Sequence, residues 1–229
     1  MDHVKFKRMA EGDREDFLFL EKEERRHAAA VGERLITALQ ALGTMPSAYR
    51  VSRLEHSLQS ATRAWRDGAD IDWVVAALLH DIGDGIAPYN HDEYAAAVLR
   101  PYLREQCTWV VANHGIFQRY YYAHHFGGDR DLRAKFHGEA YYADCVTFCE
   151  RWDQVSFDPD YGSEPLAFFV PMVREVFARE PYSPVVIAAG VRAPLRDERV
   201  AARRMAAPGR DRDTAATAAP GPAADTRSR

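Results

Sequence analysis

The sequence predicts an all-α protein with a metal site held between its helices. Three features carry that expectation. Apolar residues recur at helical spacing through most of the chain, Ser, Asp and Gly stand where helices would start and stop, and histidine and aspartate gather near those helix ends. At 229 residues, with 47% apolar and 11% aromatic side chains, the chain is long enough to bury one sizeable core. A net charge of −4 favours neither nucleic acid nor membrane as a partner.

The elements follow in order. Residues 13–42 read as one helix, a charged first half leading into Val31, Leu35, Ile36, Leu39 and Leu42, with Gly43 as its stop. After a loop, Ser52 caps a second helix, and Glu55 three residues later completes a capping box. Leu54, Leu58, Ala61 and Trp65 form its apolar stripe, and His56 lies close to it. Asp70 caps a third helix, IDWVVAALLHDIGD, which ends at Gly83 and Gly85. A fourth begins near His91. Pro101 suits the first turn of a fifth, which Gly115 closes. The aromatic and then glycine-rich stretch FQRYYYAHHFGGDRD reads as a loop, residues 139–156 as a sixth helix, and residues 166–178 as the last ordered one.

Beyond Pro181, VVIAAGV suits a short strand or an extended arm, and from Arg196 onward the chain lacks the apolar bulk to order itself. The expected organisation is an N-terminal helical extension over 1–46, a main helical domain over 47–180, and an extended arm with a disordered Arg/Ala/Pro tail over 181–229. The N-terminus lacks the apolar core of a secretory signal and no run is long enough for a bilayer span, so a cytoplasmic location is expected. Cys107, Cys145 and Cys149 include no CxxC pair. Cys145 and Cys149 share a helix face and read as reduced and buried rather than as a redox or zinc pair.

The chemistry lies in VAALLHDIGD. There an imidazole and a carboxylate, His80 and Asp81, close an apolar helix where solvation is poor. Such burial needs compensation, and a divalent metal suits both groups. His56, His91 and His114 each sit on a separate predicted helix, and Asp153 lies beside Trp152 on the sixth. One such histidine alone is usually a satisfied core residue. Four histidines and two aspartates exceed what one metal takes from protein. Two metals bridged by Asp81 account for the count.

His56, then His80 with Asp81, then Asp153 resembles the H…HD…D signature of the HD-domain superfamily, over roughly residues 47–179. The resemblance implies an HD-domain helical bundle, with the 47–180 segment as the HD domain. His91 and His114 fill the two extra positions of its dinuclear members. Most members are phosphohydrolases, and a smaller branch consists of di-iron oxygenases: those that cleave 1-hydroxy-phosphonates and, more distantly, myo-inositol oxygenase. LEHSLQ around His56, the histidine spacings, and the Arg-Trp-Asp ending at Asp153 are similar to the phosphonate-cleaving group. By that resemblance His56, His80, Asp81 and Asp153 would hold one iron, and Asp81, His91 and His114 the other. The cofactor implied is a mixed-valence Fe(II)/Fe(III) pair, with Mn, Mg or Co as the alternative, and the partners are a small-molecule substrate and dioxygen.

The chain departs from that group at two positions. Asp84 stands where the group has a histidine, and Gln118 where it has a lysine. A carboxylate facing a phosphonate is repulsive unless a cation intervenes. Asp84 with Tyr120, Tyr121 and Tyr122 would instead suit a cationic substrate end, or else Asp84 is a solvated cap and the tyrosines pack. Tyr49 corresponds to a lid tyrosine of that group, with no matching glutamate. His124, His125 and Arg130 are either substrate contacts or loop surface. Arg151, on a helix expected to be buried, is either a structural ion pair or a substrate anchor. Three functions fit: a di-iron oxygenase of a small hydroxylated substrate such as a 1-hydroxy-phosphonate, a metal-dependent phosphohydrolase of a nucleotide or other phosphoester, or a noncatalytic module that kept its metal.

Overall fold

The computed structural model describes residues 2–188 and 190–206. Among them every regular element is helical, and the elements pack as an all-α bundle. The α-helices are α1 (Arg14–Ala29), α2 (Val31–Leu42), α3 (Arg53–Arg66), α4 (Ile71–Leu79), α5 (His91–Leu99), α6 (Glu105–Tyr122), α7 (Tyr142–Phe148), α8 (Leu166–Phe177) and α9 (Glu198–Ala206). A single π-helical turn, Cys149–Asp153, continues α7. No helix among the described residues is long and apolar enough to cross a membrane.

The short, strongly apolar α4 lies at the centre. The Asp70 carboxylate accepts the Trp73 N–H at 3.1 Å to start it, and every side chain from Asp72 to Leu79 is buried. Helices α3, α6 and α8 pack around it. Helix α3 starts at a capping box in which Ser52 and Glu55 each satisfy the other's N–H. The buried Arg104 guanidinium clamps the start of α4 by donating to both oxygens of Asp70 at 2.7 and 2.9 Å. Asp72, two residues on, accepts at 2.7 Å from Arg179, which lies beyond the end of α8. These paired charges satisfy one another where water is scarce. Together they set the angle at which α4 delivers His80 and Asp81.

Several elements differ from expectation. The first long helix breaks at Ala30 into α1 and α2. Helix α1 buries only Asp16, so little tertiary packing holds its axis in line with α2. Pro101 lies in a turn before α6 rather than within it. Helix α6 runs through Gly115 to Tyr122, so the tyrosines expected in a loop are helical. A Cβ on Gly115 would sit 3.0 Å from an Asp92 carboxylate oxygen; the glycine permits close approach of α5 rather than stopping the helix.

The arm and tail also require correction. VVIAAGV forms no strand among its described residues. Part of the stretch expected to lack order is α9. Its Arg204 donates to the carbonyls of Trp65 and Ala69 at 2.6 and 3.0 Å, and the Asp197 N–H donates to the Asp67 carbonyl at 2.9 Å. Gly68, with φ +81°, gives the backbone room there, since a Cβ would fall 2.2 Å from the Asp197 carbonyl. The rest of the expected disordered tail, 207–229, lies outside the described residues.

Candidate metal centre

Four helices and the π-turn converge on one point. His80 closes α4, Asp81 opens the turns that follow it, His91 begins α5, His114 lies in mid α6, and His56 lies one turn into α3. The π-turn carries Asp153. Insertion of an extra residue into a helix re-aims its side chains, and π-turns collect at functional sites.

Three imidazoles are fixed in one tautomer by backbone carbonyls. The Nδ1–H of His56 donates to Ser156 at 2.9 Å, that of His80 to Ala77 at 2.8 Å, and that of His114 to Val111 at 2.7 Å. Each Nε2 therefore presents a lone pair to the interior. His56 Nε2 and His80 Nε2 are 3.1 Å apart. Two lone pairs at that distance repel unless a cation lies among them.

The two oxygens of Asp81 divide between two groups. Oδ2 lies 3.3 Å from His56 Nε2 and 3.4 Å from His80 Nε2, whereas Oδ1 lies 3.1 Å from His114 Nε2 and 3.4 Å from His91 Nε2. Asp153 Oδ1 completes the first group, 3.3 Å from His56 Nε2 and 3.6 Å from His80 Nε2. The other oxygen of Asp153 is buried without a hydrogen-bond partner. Ligand atoms of His56, His80 and Asp81, of His80, His114 and Asp153, and of Asp81, His91 and His114 fall within metal-binding reach of one another. Paired lone pairs, an orphaned carboxylate oxygen and a divided carboxylate fit a dinuclear divalent-metal site.

The electrostatics demand positive charge at the same place. Burial opposes the His56 cation, but the carboxylates of Asp153 and Asp81 outweigh it and push its pKa up to about 10. Burial likewise opposes the His114 cation, and Asp81 pushes it up to about 10. Asp81, despite its burial, is held well below the usual carboxylate range by His80, His114 and His56, and Asp153 is lowered by His56 and His80. Without metal, protons supply the cation.

An open cavity of about 680 Å³ lies over these groups. It is lined by His56, Asp81, His91, His114 and Asp153, while His80 is buried out of reach. Asp84, Gln118 and Tyr49 also line it. Phe157 stacks on the His56 ring at 4.3 Å and Tyr49 packs at a tilt against Phe157 at 4.6 Å, so that an aromatic wall shields the first group.

Residues 53–147 match the HD domain. The span takes in His56, His80, Asp81, His91 and His114 and ends before Asp153. HD domains bind divalent metals, and the match suggests a metal-dependent enzyme. No curated protein matches the chain.

The remaining residues singled out in the sequence divide between the cavity wall and contacts elsewhere. Arg151 is not buried and does not reach the cavity; its Nε and Nη2 each donate at 2.9 Å to the carboxylate of Asp67, which also accepts the Trp152 indole N–H. This ion pair anchors the π-turn to the end of α3. Asp84 already faces a cation of the chain itself, the guanidinium of Arg53. Tyr120 turns away, between Arg130 at 4.1 Å and Arg133 at 3.6 Å, while Tyr121 and Tyr122 reach the cavity. His124 and His125 lie against each other outside it. Cys145 and Cys149 are free and buried, each 3.7 Å from a carbonyl of α6.

The residues that sequence reasoning missed are Arg53 and the aromatic pair Phe126 and Phe157. Arg53 stands three residues before His56 on α3, a spacing that puts both on one face. That was a usable signal. Its partner Asp84, 31 residues on, was not visible locally.

Proposed function

We propose that the protein is a di-iron HD-domain oxygenase that cleaves a small hydroxylated substrate oxidatively, a 1-hydroxy-phosphonate being one such compound. The observation that carries this reading is the asymmetry of the two ligand groups beneath the cavity. The first has His56, His80, Asp153 and one oxygen of Asp81 and is walled off by Phe157. The second has only His91, His114 and the other oxygen of Asp81, and His91 is its most exposed member. Three protein ligands leave positions open for substrate and dioxygen.

The side-chain charge of the cavity disfavours a nucleotide polyphosphate as the substrate. Arg53 is the one Lys or Arg among its described lining residues, and Asp84 already pairs with it. Beyond the metal ions themselves, a polyphosphate would meet little positive charge there.

His56, His80, Asp81 and Asp153 would hold one iron and Asp81, His91 and His114 the other. When bound in the Fe(II)/Fe(III) state, the pair supplies a redox centre for dioxygen beside the substrate. The chain's own residues supply orientation and dryness. Backbone carbonyls keep a proton on Nδ1 of His56, His80 and His114, leaving each Nε2 free for metal. Asp84 Oδ1, 3.6 Å from His91 Nδ1, favours the same tautomer there. Phe157 and Tyr49 limit water access. For a 1-hydroxy-phosphonate the overall change is a four-electron oxidation by dioxygen that breaks the C–H and C–P bonds and yields a carboxylate and phosphate.

The test is oxygen uptake by iron-loaded, mildly reduced protein with a panel of 1-hydroxy-phosphonates and related hydroxy acids, run beside a phosphoester panel with Mn²⁺. Uptake with stoichiometric product supports the oxygenase. Phosphoester turnover without oxygen replaces it with a phosphohydrolase.

A further inference from the structure

We propose that the cavity selects an amphipathic organic acid, whose oxyanion head is held by Arg53 and whose apolar body lies along the aromatic rim. The proposal rests on the reading of the His56-to-Asp153 cluster as the reaction centre and names the class of its substrate.

The head follows from Arg53. Its guanidinium donates through Nη1 to Asp84 Oδ2, and the other oxygen of Asp84 lies 3.6 Å from His91. The cation is therefore one carboxylate removed from the more open ligand group. A guanidinium has five N–H donors in a rigid plane, and one carboxylate contact leaves most of them free. Arg53 has no second protein acceptor among the described residues, and its side chain is 32% exposed on the cavity wall. The unused donors fit the planar edge of a carboxylate or one face of a phosphonate. Asp84 fixes the rotamer and cancels the net charge, so the head is recognised by directed hydrogen bonds.

The body follows from the rim. Tyr49, Tyr122 and Phe126 are 60%, 45% and 83% exposed, and all three line this cavity. Single exposed apolar side chains are ordinary, but three aromatics on one rim form a patch that marks a binding surface. Phe157 extends the patch inward to His56. A cavity of about 680 Å³ lies in the range that encloses a medium-sized organic ligand and exceeds what a two- or three-carbon hydroxy acid fills. An acid with an aryl or branched alkyl body uses both the guanidinium and the rim.

The test measures binding by calorimetry to the protein as purified, with three probes: 3-phenyllactate, lactate, and 3-phenyl-1,2-propanediol. The first carries head and body, the second lacks the body, and the third lacks the anion. We expect 3-phenyllactate to bind at least tenfold more tightly than either of the others. In Arg53→Gln its advantage over the diol should vanish, and in Phe126→Ala its advantage over lactate should shrink. Equal binding of the three probes by the unaltered protein overturns the class, and wild-type affinity of Arg53→Gln overturns the anchor. If Arg53→Gln loses metal, Arg53→Lys, which keeps the charge but not the fork, takes its place. Weaker binding of 3-phenyllactate then supports the anchor and unchanged binding overturns it. Arg53-dependent binding without oxygen uptake on any panel would remove the oxygenase reading alone. Oxygen uptake with hydroxy-phosphonates and no preference among the probes would remove the substrate class alone.

Discussion

Replacing Asp81 by Asn perturbs both metal positions at once, because each carboxylate oxygen serves a different group. Oδ2 lies 3.3 and 3.4 Å from the first pair of imidazole nitrogens and Oδ1 lies 3.1 and 3.4 Å from the second pair. An ion bound among those atoms lies within about 4 Å of the carboxylate charge. There each unit of opposite charge contributes about 4 kcal/mol at an effective dielectric constant near 20. The amide keeps the shape and removes that charge, so affinity at each position should fall about a thousandfold or more. The assay is elemental analysis of protein after gel filtration, with circular dichroism to confirm the fold. Wild type should retain about two ions per chain and Asp81→Asn close to none. An Asp81→Asn protein that is folded and still holds two ions would refute the bridging role.

Three further outcomes follow from the same geometry. His91→Ala should empty only the second position and leave about one ion per chain, since His91 meets only that group, through Asp81 Oδ1 and the His114 ring; full metal content and activity would remove it from the ligand set. In the metal-free protein His56 and His114 are raised from 6.5 to about 10, so their stabilising contribution is fully present below pH 6.5 and is lost as pH rises through 10. The metal-free melting temperature should therefore fall across that window while added metal flattens the profile, and a rise would contradict this. Asp67→Ala removes the partner of Arg151 and of the Trp152 indole; urea unfolding should show a loss of about 1–3 kcal/mol, toward the lower end because the Arg151 pair is partly exposed. Metal content should fall with it, because the π-turn that aims Asp153 loses its anchor, and an unchanged midpoint would argue against that role.

Much of the site was legible because its parts are local. His80 and Asp81 at the end of an apolar helix, Ser52 with Glu55, and Asp70 before Ile71 are short-range patterns whose physics does not depend on the rest of the chain. What depends on partners distant in sequence was less legible. Gly115 reads as a stop until α5 is seen pressed against it. Arg151 reads as buried on a regular helix, but the π-turn shifts the phase and directs it to Asp67. Helix α9 has too little apolar bulk to suggest order; Arg204 reaches two carbonyls at the end of α3 through hydrogen bonds that no local pattern announces. Asp84 reads as a free carboxylate until Arg53 is placed beside it.

The central claim is a carboxylate-bridged pair of redox-active ions, and metal analysis combined with low-temperature EPR of freshly purified, mildly reduced protein tests it most directly. The geometry of Asp81 between the two imidazole pairs predicts about two irons per chain with an antiferromagnetically coupled Fe(II)/Fe(III) signal. Protein that holds manganese or magnesium and gives no mixed-valence signal after iron loading would contradict the oxygenase account.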